Sequence, residues 1–209
     1  RGKVDAGKNV RSGVDEKTGL PVVSLYGQRK RPTPEMLADI DLLVFDLQDV
    51  GTRFYTYISS MHYLMEACAE EGKTFVVCDR PNPNDFIDGP ILEPDCRSFI
   101  GVDPLPVAHG MTVGELALMI DGERWLRGGN TCHVKVIPMD GWSHGDPYEL
   151  PVRPSPNLPN SRSIELYPSL CFFEATIMSV GRGTSKPFQA IGYPDKRFGS
   201  IVYTPQIKI

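Results

Sequence analysis

Leu42-Leu43-Val44-Phe45-Asp46-Leu47 is a short, nearly continuous apolar run, and a second such run, Thr74-Phe75-Val76-Val77-Cys78-Asp79, follows further along the chain. Runs of this kind are typical of strands that are buried on both faces of a parallel sheet. Between them, apolar side chains recur at helical spacing over residues 57–71, and Gly72 stands where a C-cap glycine would. Strand, helix and strand together predict one right-handed βαβ unit.

The flanking sequence predicts further elements of an α/β fold. They are a strand at residues 22–26, a short helix that begins at Thr33-Pro34-Glu35, a helix from the capping box of Thr112 and Glu115 to about residue 120, a strand at 133–138 and a helix around 166–178. Residues 80–103, rich in proline, are predicted as a long irregular loop. We therefore expect a Rossmann-like, mainly parallel sheet with helices on both faces.

Composition argues against several classes of protein. The 209 residues carry a net charge of −4, which gives no sign of a surface for nucleic acid or an anionic membrane. No apolar run reaches the ~18 residues of a membrane span. The five cysteines form no CxxC pair and the four histidines no HxxxH or HxH pair, so we expect no metal site. The glycine motifs of dinucleotide and phosphate sites are missing, so we expect no cofactor.

Polar residues follow both predicted strands. Because neighbouring parallel strands end at the same edge of a sheet, where ligands bind in doubly wound folds, we expect these residues to lie side by side. Their carboxylates, amides, guanidinium groups and aromatic rings suit a sugar ligand. The alternative is that Asp49 with Arg53, and Asp79 with Arg80, are ion pairs that only fix the turns. The residues are Asp46, Gln48, Asp49, Arg53, Tyr55 and Tyr57 after the first strand, and Asp79, Arg80 and Asn82 after the second.

Further along the chain, four features are weaker candidates. The capping box explains Glu115, and His109 before it either donates to a ligand or orders its loop. Glu174 interrupts an apolar stretch, where desolvation would raise its pKa towards that of a general acid; alternatively it lies on the surface. Gly181-Arg182-Gly183-Thr184 either presents backbone N–H groups and a guanidinium to an anion or is a plain turn.

Five of these segments follow one another in an order that is itself informative. They are Asp46-Leu47-Gln48-Asp49-Val50-Gly51-Thr52-Arg53-Phe54-Tyr55-Thr56-Tyr57, Asp79-Arg80-Pro81-Asn82-Pro83, His109-Gly110-Met111-Thr112-Val113-Gly114-Glu115, Pro154-Ser155-Pro156-Asn157 and Gly181-Arg182-Gly183-Thr184-Ser185-Lys186-Pro187-Phe188. With these motifs the sequence resembles the exo-β-N-acetylmuramidases, glycoside hydrolase family 171, formerly called domain of unknown function 1343.

The resemblance implies a Rossmann-like catalytic domain, which we assign to residues 1–190, and the start of a smaller auxiliary domain at 191–209. It implies an exported bacterial enzyme of cell-wall turnover that releases terminal β-linked N-acetylmuramic acid from peptidoglycan fragments, without metal or cofactor. The chain itself opens on no signal peptide. The family's leading catalytic glutamate belongs to a Pro-Glu-His-Gly segment that would precede Arg1, so we expect the main catalytic acid, and most of the auxiliary domain, outside this sequence.

The predicted reaction needs two carboxyl groups around the glycosidic oxygen. Within this chain the candidates are Asp46, Asp49 and Glu174, although Glu174 is followed by Ala175 where the family has glycine. One arginine is predicted to bind the lactyl carboxylate of muramic acid, because a guanidinium fork fits a carboxylate bidentately. A tyrosine is predicted to stack on the sugar, and amides to bind its hydroxyl or acetamido groups. The predicted substrate-binding residues are Arg53, Arg80, Arg182, Tyr55, Tyr57, Gln48, Asn82, Asn157, His109, Ser155 and Thr184.

Two alternatives use the same scaffold. One is a non-catalytic module that binds cell-wall sugars, and the other is a hydrolase of another bond, such as an amidase. The sequence leaves the oligomeric state, the substrate length and the stereochemical course open.

Overall fold

The structure, a computed structural model, describes residues 12–25 and 29–206. Helices and strands follow one another along it, with long irregular segments between them. In chain order these elements are β1 (Gly13–Val14), β2 (Pro21–Val22), α1 (Pro34–Leu37), β3 (Leu42–Phe45), α2 (Tyr57–Glu70), β4 (Thr74–Cys78), β5 (Ile87–Asp88), β6 (Ala108–His109), α3 (Val113–Gly122), β7 (His133–Ile137) and α4 (Ser161–Leu170). None of the described helices is both long and apolar enough to cross a membrane.

A three-stranded parallel sheet with the order β3-β4-β7 forms the centre of the fold. Leu43 lies opposite Phe75, and Phe75 opposite Val134, so alternate residues of the three strands share one face. That face packs against α2 and α3 around Phe45 and Val77, which are both buried. The predicted α/β class, the βαβ unit and the strand at 133–138 are confirmed.

Helices α2 and α3 begin and end close to the predicted residues. After α2, Gly72 has a φ of +62°, a left-handed conformation that favours glycine. At the start of α3 the Thr112 hydroxyl accepts a hydrogen bond from the Glu115 backbone, and the Glu115 carboxylate accepts one from the Thr112 backbone, which is the predicted capping box. The Gly114 N–H donates to the Asp79 carboxylate at 2.8 Å, so the end of β4 is joined to the start of α3.

The opposite face of the sheet is open to solvent in the described part of the chain. Leu42 is 48% exposed and Val44 is 52% exposed, although both belong to the apolar run that predicted β3. The prediction that this strand is buried on both faces is therefore wrong here. An apolar run predicts that its side chains are buried, but it does not identify the segment that covers each face of the strand.

A second hydrophobic core lies beside the first. Its buried members are Val50, Leu158, Ile164, Tyr167, Cys171, Val180 and Phe188. Most of them come from α4 and the segment after it. α4 begins at Asn160, whose side chain accepts a hydrogen bond from the Ser163 backbone, and a 3-10 turn at Cys171–Ala175 follows it. The prediction of a helix around 166–178 is wrong in its bounds, because the capping box at Asn160 starts the helix earlier.

Asn84 ties the loop after β4 to the second core. Its side-chain Nδ2 donates to the carbonyl oxygens of Val50 at 2.8 Å and Ile164 at 2.9 Å, and its backbone N–H donates to Asn82 at 2.9 Å. Asn84 lies in the predicted loop of residues 80–103, which is irregular apart from β5 and a 3-10 turn at Pro94–Cys96. β5 pairs with β6 in antiparallel orientation.

The segment before the sheet is less regular than predicted. The strand at 22–26 is found only as β2, which pairs with β1 in antiparallel orientation, and Tyr26 lies outside the described residues. The short helix after Thr33 is confirmed as α1. The domain boundary between residues 190 and 191 stays a prediction.

Candidate functional site

The polar residues after β3 and β4 meet at the carboxyl edge of the sheet. The Arg80 guanidinium donates from Nε (3.0 Å) and from a terminal nitrogen (2.6 Å) to one oxygen of Asp46. Gln48 donates to the Pro81 carbonyl oxygen at 2.8 Å. The side chains of Arg80 and Asp46 are 39% and 54% exposed, so this edge opens to solvent. The two strands therefore bring Asp46, Gln48 and Arg80 together, as predicted.

Asp79 and Asn82, next to this edge, hold the fold together. The two oxygens of Asp79 accept hydrogen bonds from the Gly114 backbone and the Thr112 hydroxyl at the start of α3. Asn82 is buried and donates to the Met111 carbonyl oxygen at 3.0 Å. Contact of Asn82 with a sugar stays a prediction, and its present contacts are those of a loop-ordering residue.

Asp49 and His109 form a buried pair. The Met111 N–H donates to Nδ1 of His109 at 3.3 Å, so the ring proton is on Nε2, which faces Asp49 at 3.2 Å. The same Asp49 oxygen accepts the Gly51 N–H at 2.7 Å, and the second Asp49 oxygen is buried without a hydrogen-bond partner in the described structure. Both candidates thus point into the protein, and their roles at a substrate stay predictions.

Arg53 does not pair with Asp49, so the proposed ion pair after β3 is wrong. Its guanidinium donates to the carbonyl oxygens of Pro90, at 3.0 Å, and Leu105. The side chain is buried, and burial lowers its pKa from the ordinary arginine value. Arg53 therefore clamps the loop between β4 and β6, which makes Arg80 and Arg182 better placed to meet a ligand.

Tyr55 and Tyr57 pack against each other, with ring centroids 4.9 Å apart in an edge-to-face arrangement. The Tyr55 hydroxyl donates to the Pro154 carbonyl oxygen at 2.9 Å. Burial, with a smaller effect from the neighbouring Tyr57, strongly raises the pKa of Tyr55. Tyr55 thus ties the loop after β3 to the segment that begins at Arg153, and stacking of either ring on a sugar stays a prediction.

A cavity of about 350 Å³ lies beside the second core. Polar side chains line much of it, and among them are three of the predicted substrate-binding residues. Ser155, a fourth, accepts a hydrogen bond from the Asn157 backbone at 3.2 Å and so shapes the turn beside the cavity. The lining consists of Arg153, Pro156, Asn157, Pro159, Arg182, Gly183, Thr184, Ser185, Pro187 and Gln206.

The Gly181–Thr184 segment forms one wall of this cavity as a tight turn. Gly181 and Gly183 have φ values of +76° and +78°, and a Cβ on Gly183 would meet the Gln206 carbonyl oxygen at 2.4 Å. The Thr184 hydroxyl donates back to the Gly181 carbonyl oxygen at 2.6 Å. Arg182 between the two glycines donates to Glu174 at 2.8 Å. Arg182 thus lines the cavity while its guanidinium pairs with Glu174, and its contact with an anion stays a prediction.

Glu174 is exposed and paired with Arg182, so the desolvation expected of it is not found. It lies in the 3-10 turn after α4, whose exposed residues include Phe172 and Phe173. The apolar neighbours in the sequence are thus not wrapped around the carboxylate.

A cluster that sequence reasoning missed lies at the start of α3. His144, on the loop after β7, contacts Asp85 through Nδ1 at 2.5 Å and Glu115 through Nε2 at 2.9 Å. Hydrogen bonds to Glu115 and Asp85 raise the pKa of His144. Burial opposes ionisation of Glu115, but hydrogen bonds from the Thr112 backbone and His144 outweigh it and lower the pKa of Glu115. No short motif links these residues, since 59 and 29 residues separate His144 from its partners.

No group of three or more His, Cys, Asp or Glu side chains within residues 12–25 and 29–206 is arranged to hold a metal ion.

Comparisons with known proteins agree closely with one another. The sequence model described as exo-β-N-acetylmuramidase NamZ, N-terminal, matches residues 1–162, and the corresponding C-terminal model matches residues 165–202. The peptidoglycan β-N-acetylmuramidase NamZ of Bacillus subtilis (strain 168) is 52% identical over 200 residues, which cover 93% of this chain and 47% of that protein.

Solved structures give the same result. A DUF1343 family protein from Bacteroides fragilis NCTC 9343 has a TM-score of 0.87 at 49% identity and is matched over 92% of this chain and 54% of its own. A second DUF1343 family protein from that organism has a TM-score of 0.81 at 44% identity, over 85% of this chain and 48% of its own. The chain thus spans about half the length of the relatives that it matches.

Proposed function

This chain belongs to the NamZ family of exo-β-N-acetylmuramidases, and from that premise we propose that its protein is an exo-acting glycoside hydrolase. The reaction is the release of terminal β-linked N-acetylmuramic acid from the non-reducing end of peptidoglycan fragments. The substrate is a cell-wall sugar, and the place of action is outside the bacterial cytoplasm. The name of the Bacillus subtilis relative supports the reaction, and family resemblance supports export.

The observation that carries this proposal is the polar cavity that Arg153, Asn157, Arg182 and Thr184 line. Its volume of about 350 Å³ lies within the size range of small-ligand sites. N-acetylmuramic acid differs from N-acetylglucosamine by a lactyl ether with a carboxylate. Two arginines among the residues that line this small polar cavity suit that carboxylate, because a guanidinium has five N–H donors and binds a carboxylate bidentately.

Arg182 is the arginine that we assign to the lactyl carboxylate. One of its terminal nitrogens donates to Glu174 at 2.8 Å, which orients the guanidinium without using all its donors. Asn157 and Thr184, in the same cavity, are assigned to the acetamido and hydroxyl groups. Arg80 is the second choice for the carboxylate, since it pairs with Asp46 at the edge of the sheet and does not line this cavity.

The catalytic carboxylates are a separate part of the proposal. Asp46, paired with Arg80 at the carboxyl edge of the sheet, has a side chain that is 54% exposed, whereas Asp49 is buried and the side chain of Glu174, paired with Arg182, is 32% exposed. We assign Asp46 as the best internal candidate of the three, acting with a glutamate from the part of the family that lies outside this chain. Replacing Asp46 by Asn in the full-length protein should lower kcat by at least about 100-fold, in the range of an acid–base group.

The proposed activity is tested with full-length protein and a 4-nitrophenyl β-N-acetylmuramide. Release of nitrophenol supports a glycosidase. Binding of the compound without turnover would indicate a sugar-binding module, and cleavage of a muramoyl–peptide bond with no nitrophenol release would indicate an amidase. Either of those two results overturns the proposal.

The role of Arg182 is tested by substrate selectivity. Arg182→Ala should lower kcat/KM for the muramide by about 10- to 100-fold, because a charge-assisted hydrogen bond to a carboxylate contributes about 1.5–3 kcal/mol. Activity on the matching N-acetylglucosaminide, which has no carboxylate, should change much less. Arg162→Ala is the matched control, because Arg162 is exposed on α4, where it pairs with Glu165. Equal losses on both substrates would contradict the assignment.

A further inference from the structure

One wall of the cavity, residues 153–159, is rich in proline. Three of its seven residues are prolines, which have no backbone N–H, so the segment has few hydrogen bonds of its own to donate. Within it, the Leu158 N–H donates to the Ser155 carbonyl oxygen at 3.0 Å and closes a turn. The place of this wall in the molecule therefore depends on contacts with other segments.

The 153–159 wall is anchored at Leu158 and at Pro154. Leu158 is 2% exposed and packs in the second core. At Pro154 the carbonyl oxygen accepts a hydrogen bond from the Tyr55 hydroxyl at 2.9 Å, across 99 residues of sequence. Asn157, which lines the cavity, lies between the two anchors.

The Tyr55 ring is itself held by other aromatic rings. Its centroid lies 4.9 Å from that of Tyr57 and 6.2 Å from that of Tyr167, both in edge-to-face arrangements. Tyr167 in turn lies 5.0 Å from Phe188, which directly follows Pro187 of the cavity lining. Burial strongly raises the pKa of Tyr55, so its hydroxyl keeps the proton that it donates. The position of this donor is thus fixed by packing that does not involve the 153–159 wall.

We propose that Tyr55 is a positioning residue for the sugar cavity, an inference that rests on the proposed function. Its hydroxyl holds the Pro154 carbonyl oxygen and thereby sets the place of Asn157, which we assign to the acetamido or hydroxyl groups of the sugar. In this role Tyr55 acts on the substrate through the 153–159 wall and not by stacking on the sugar ring.

The test begins with Tyr55→Phe in the full-length protein, because this change removes the hydroxyl and keeps the packed ring. KM for the 4-nitrophenyl muramide should rise about 3- to 10-fold, the effect of one net hydrogen bond. Since the sugar is held equally before and during reaction, kcat should change by less than about 2-fold. The dissociation constant of N-acetylmuramic acid, measured by calorimetry, should rise by the same factor as KM. Tyr63→Phe, on α2, is the matched control, because Tyr63 stacks on Phe99 and should leave both constants unchanged.

Double mutants separate positioning from a general loss of structure. Asn157 belongs to the wall that Tyr55 holds, so in an Asn157→Ala background Tyr55→Phe should raise KM by less than about 2-fold. Arg182 lines the cavity from a different segment, so in an Arg182→Ala background the increase of about 3- to 10-fold should remain. A merely structural role of Tyr55 would give the same factor in both backgrounds.

Unchanged constants for Tyr55→Phe, or one factor in both backgrounds, would overturn the inference while leaving the glycosidase function intact. Wild-type protein that binds N-acetylmuramic acid without cleaving the muramide would overturn the proposed function instead, and the dissociation constants of the variants would still decide the role of Tyr55. Protein that neither binds the sugar nor cleaves the muramide would overturn both.

Discussion

Replacement of Asn84 by Ala is expected to loosen the attachment of the loop after β4 to the second core. Asn84 is 2% exposed, and its side-chain amide donates to the carbonyl oxygens of Val50 and Ile164. Truncation leaves two buried acceptors without these donors, and each costs about 1–3 kcal/mol. Allowing for partial hydration of the space, we expect the free energy of unfolding to fall by about 2–5 kcal/mol, or the melting temperature by roughly 5–15 °C.

The measurement is urea unfolding of the chain followed by circular dichroism, with Asn130→Ala as control because Asn130 is exposed. The control should stay within about 0.5 kcal/mol of the wild type. Asn84→Asp sharpens the test, since a carboxylate of the same shape would face two carbonyl oxygens without a proton to donate. A stability for Asn84→Asp equal to that of the wild type, or for Asn84→Ala equal to that of Asn130→Ala, would refute the reasoning.

Three further predictions concern a turn, a titrating group and the thiols. Gly183→Ala should lower the free energy of unfolding by about 1 kcal/mol or more, because a φ of +78° is strained for alanine. Gly122→Ala is the control, since the added carbon has no neighbour within 4 Å, and it should not lower the free energy of unfolding. Thermal melts of the two variants test the difference. Because contacts raise the pKa of His144 in the folded state, its stabilising effect is complete below about pH 6.5 and is lost as the pH rises through the folded value. The stability of the wild type relative to His144→Asn should therefore decline from pH 6 to 9, and a pH-independent difference in urea midpoints would contradict this. Exposed Cys96 should be alkylated by iodoacetamide before Cys68, because burial raises the pKa of the Cys68 thiol to about 11. Mass spectrometry of the modified protein gives the order, and alkylation of Cys68 first would contradict the prediction.

The sheet could be predicted from the sequence because its signals are local. Residues 42–78 contain two apolar runs, a helix with regular apolar spacing between them and Gly72 at the end of that helix. All of these features indicate the same βαβ unit. The capping box at Thr112 is equally local. What covers the second face of β3 is not encoded in β3, so the exposure of Leu42 and Val44 did not follow from the pattern. The start of α4 was predictable in principle from Asn160. The apolar residues that follow α4 instead placed the predicted helix too far towards the C-terminus.

The candidate site was predictable where it depends on strand ends. Asp46 and Arg80 meet because parallel neighbours finish at one edge of the sheet. The contacts of Asp49 and Arg53 depend instead on the turn between them, where Gly51 has a φ of +71° and its N–H donates to the Asp49 oxygen that faces His109. No spacing in the sequence carries that information.

His144 shows the same limit more sharply. It reaches Asp85 only after β7 has returned the chain to the sheet edge, so its partner lies 59 residues away in the sequence. A lone histidine in a loop gives no such signal, and the capping box gave Glu115 a sufficient explanation of its own.

The second core has a consequence for how the protein is made. Val50 packs in it with Val180 and Phe188, so its two halves are separated by more than a hundred residues of chain. On the ribosome the first core acquires its last buried member with Cys132, while the loop around Val50 must wait until residues 158–188 have been synthesised. Until then that loop is an apolar surface without its partner, and nascent chains that stall in this interval are the ones that we expect chaperones to bind.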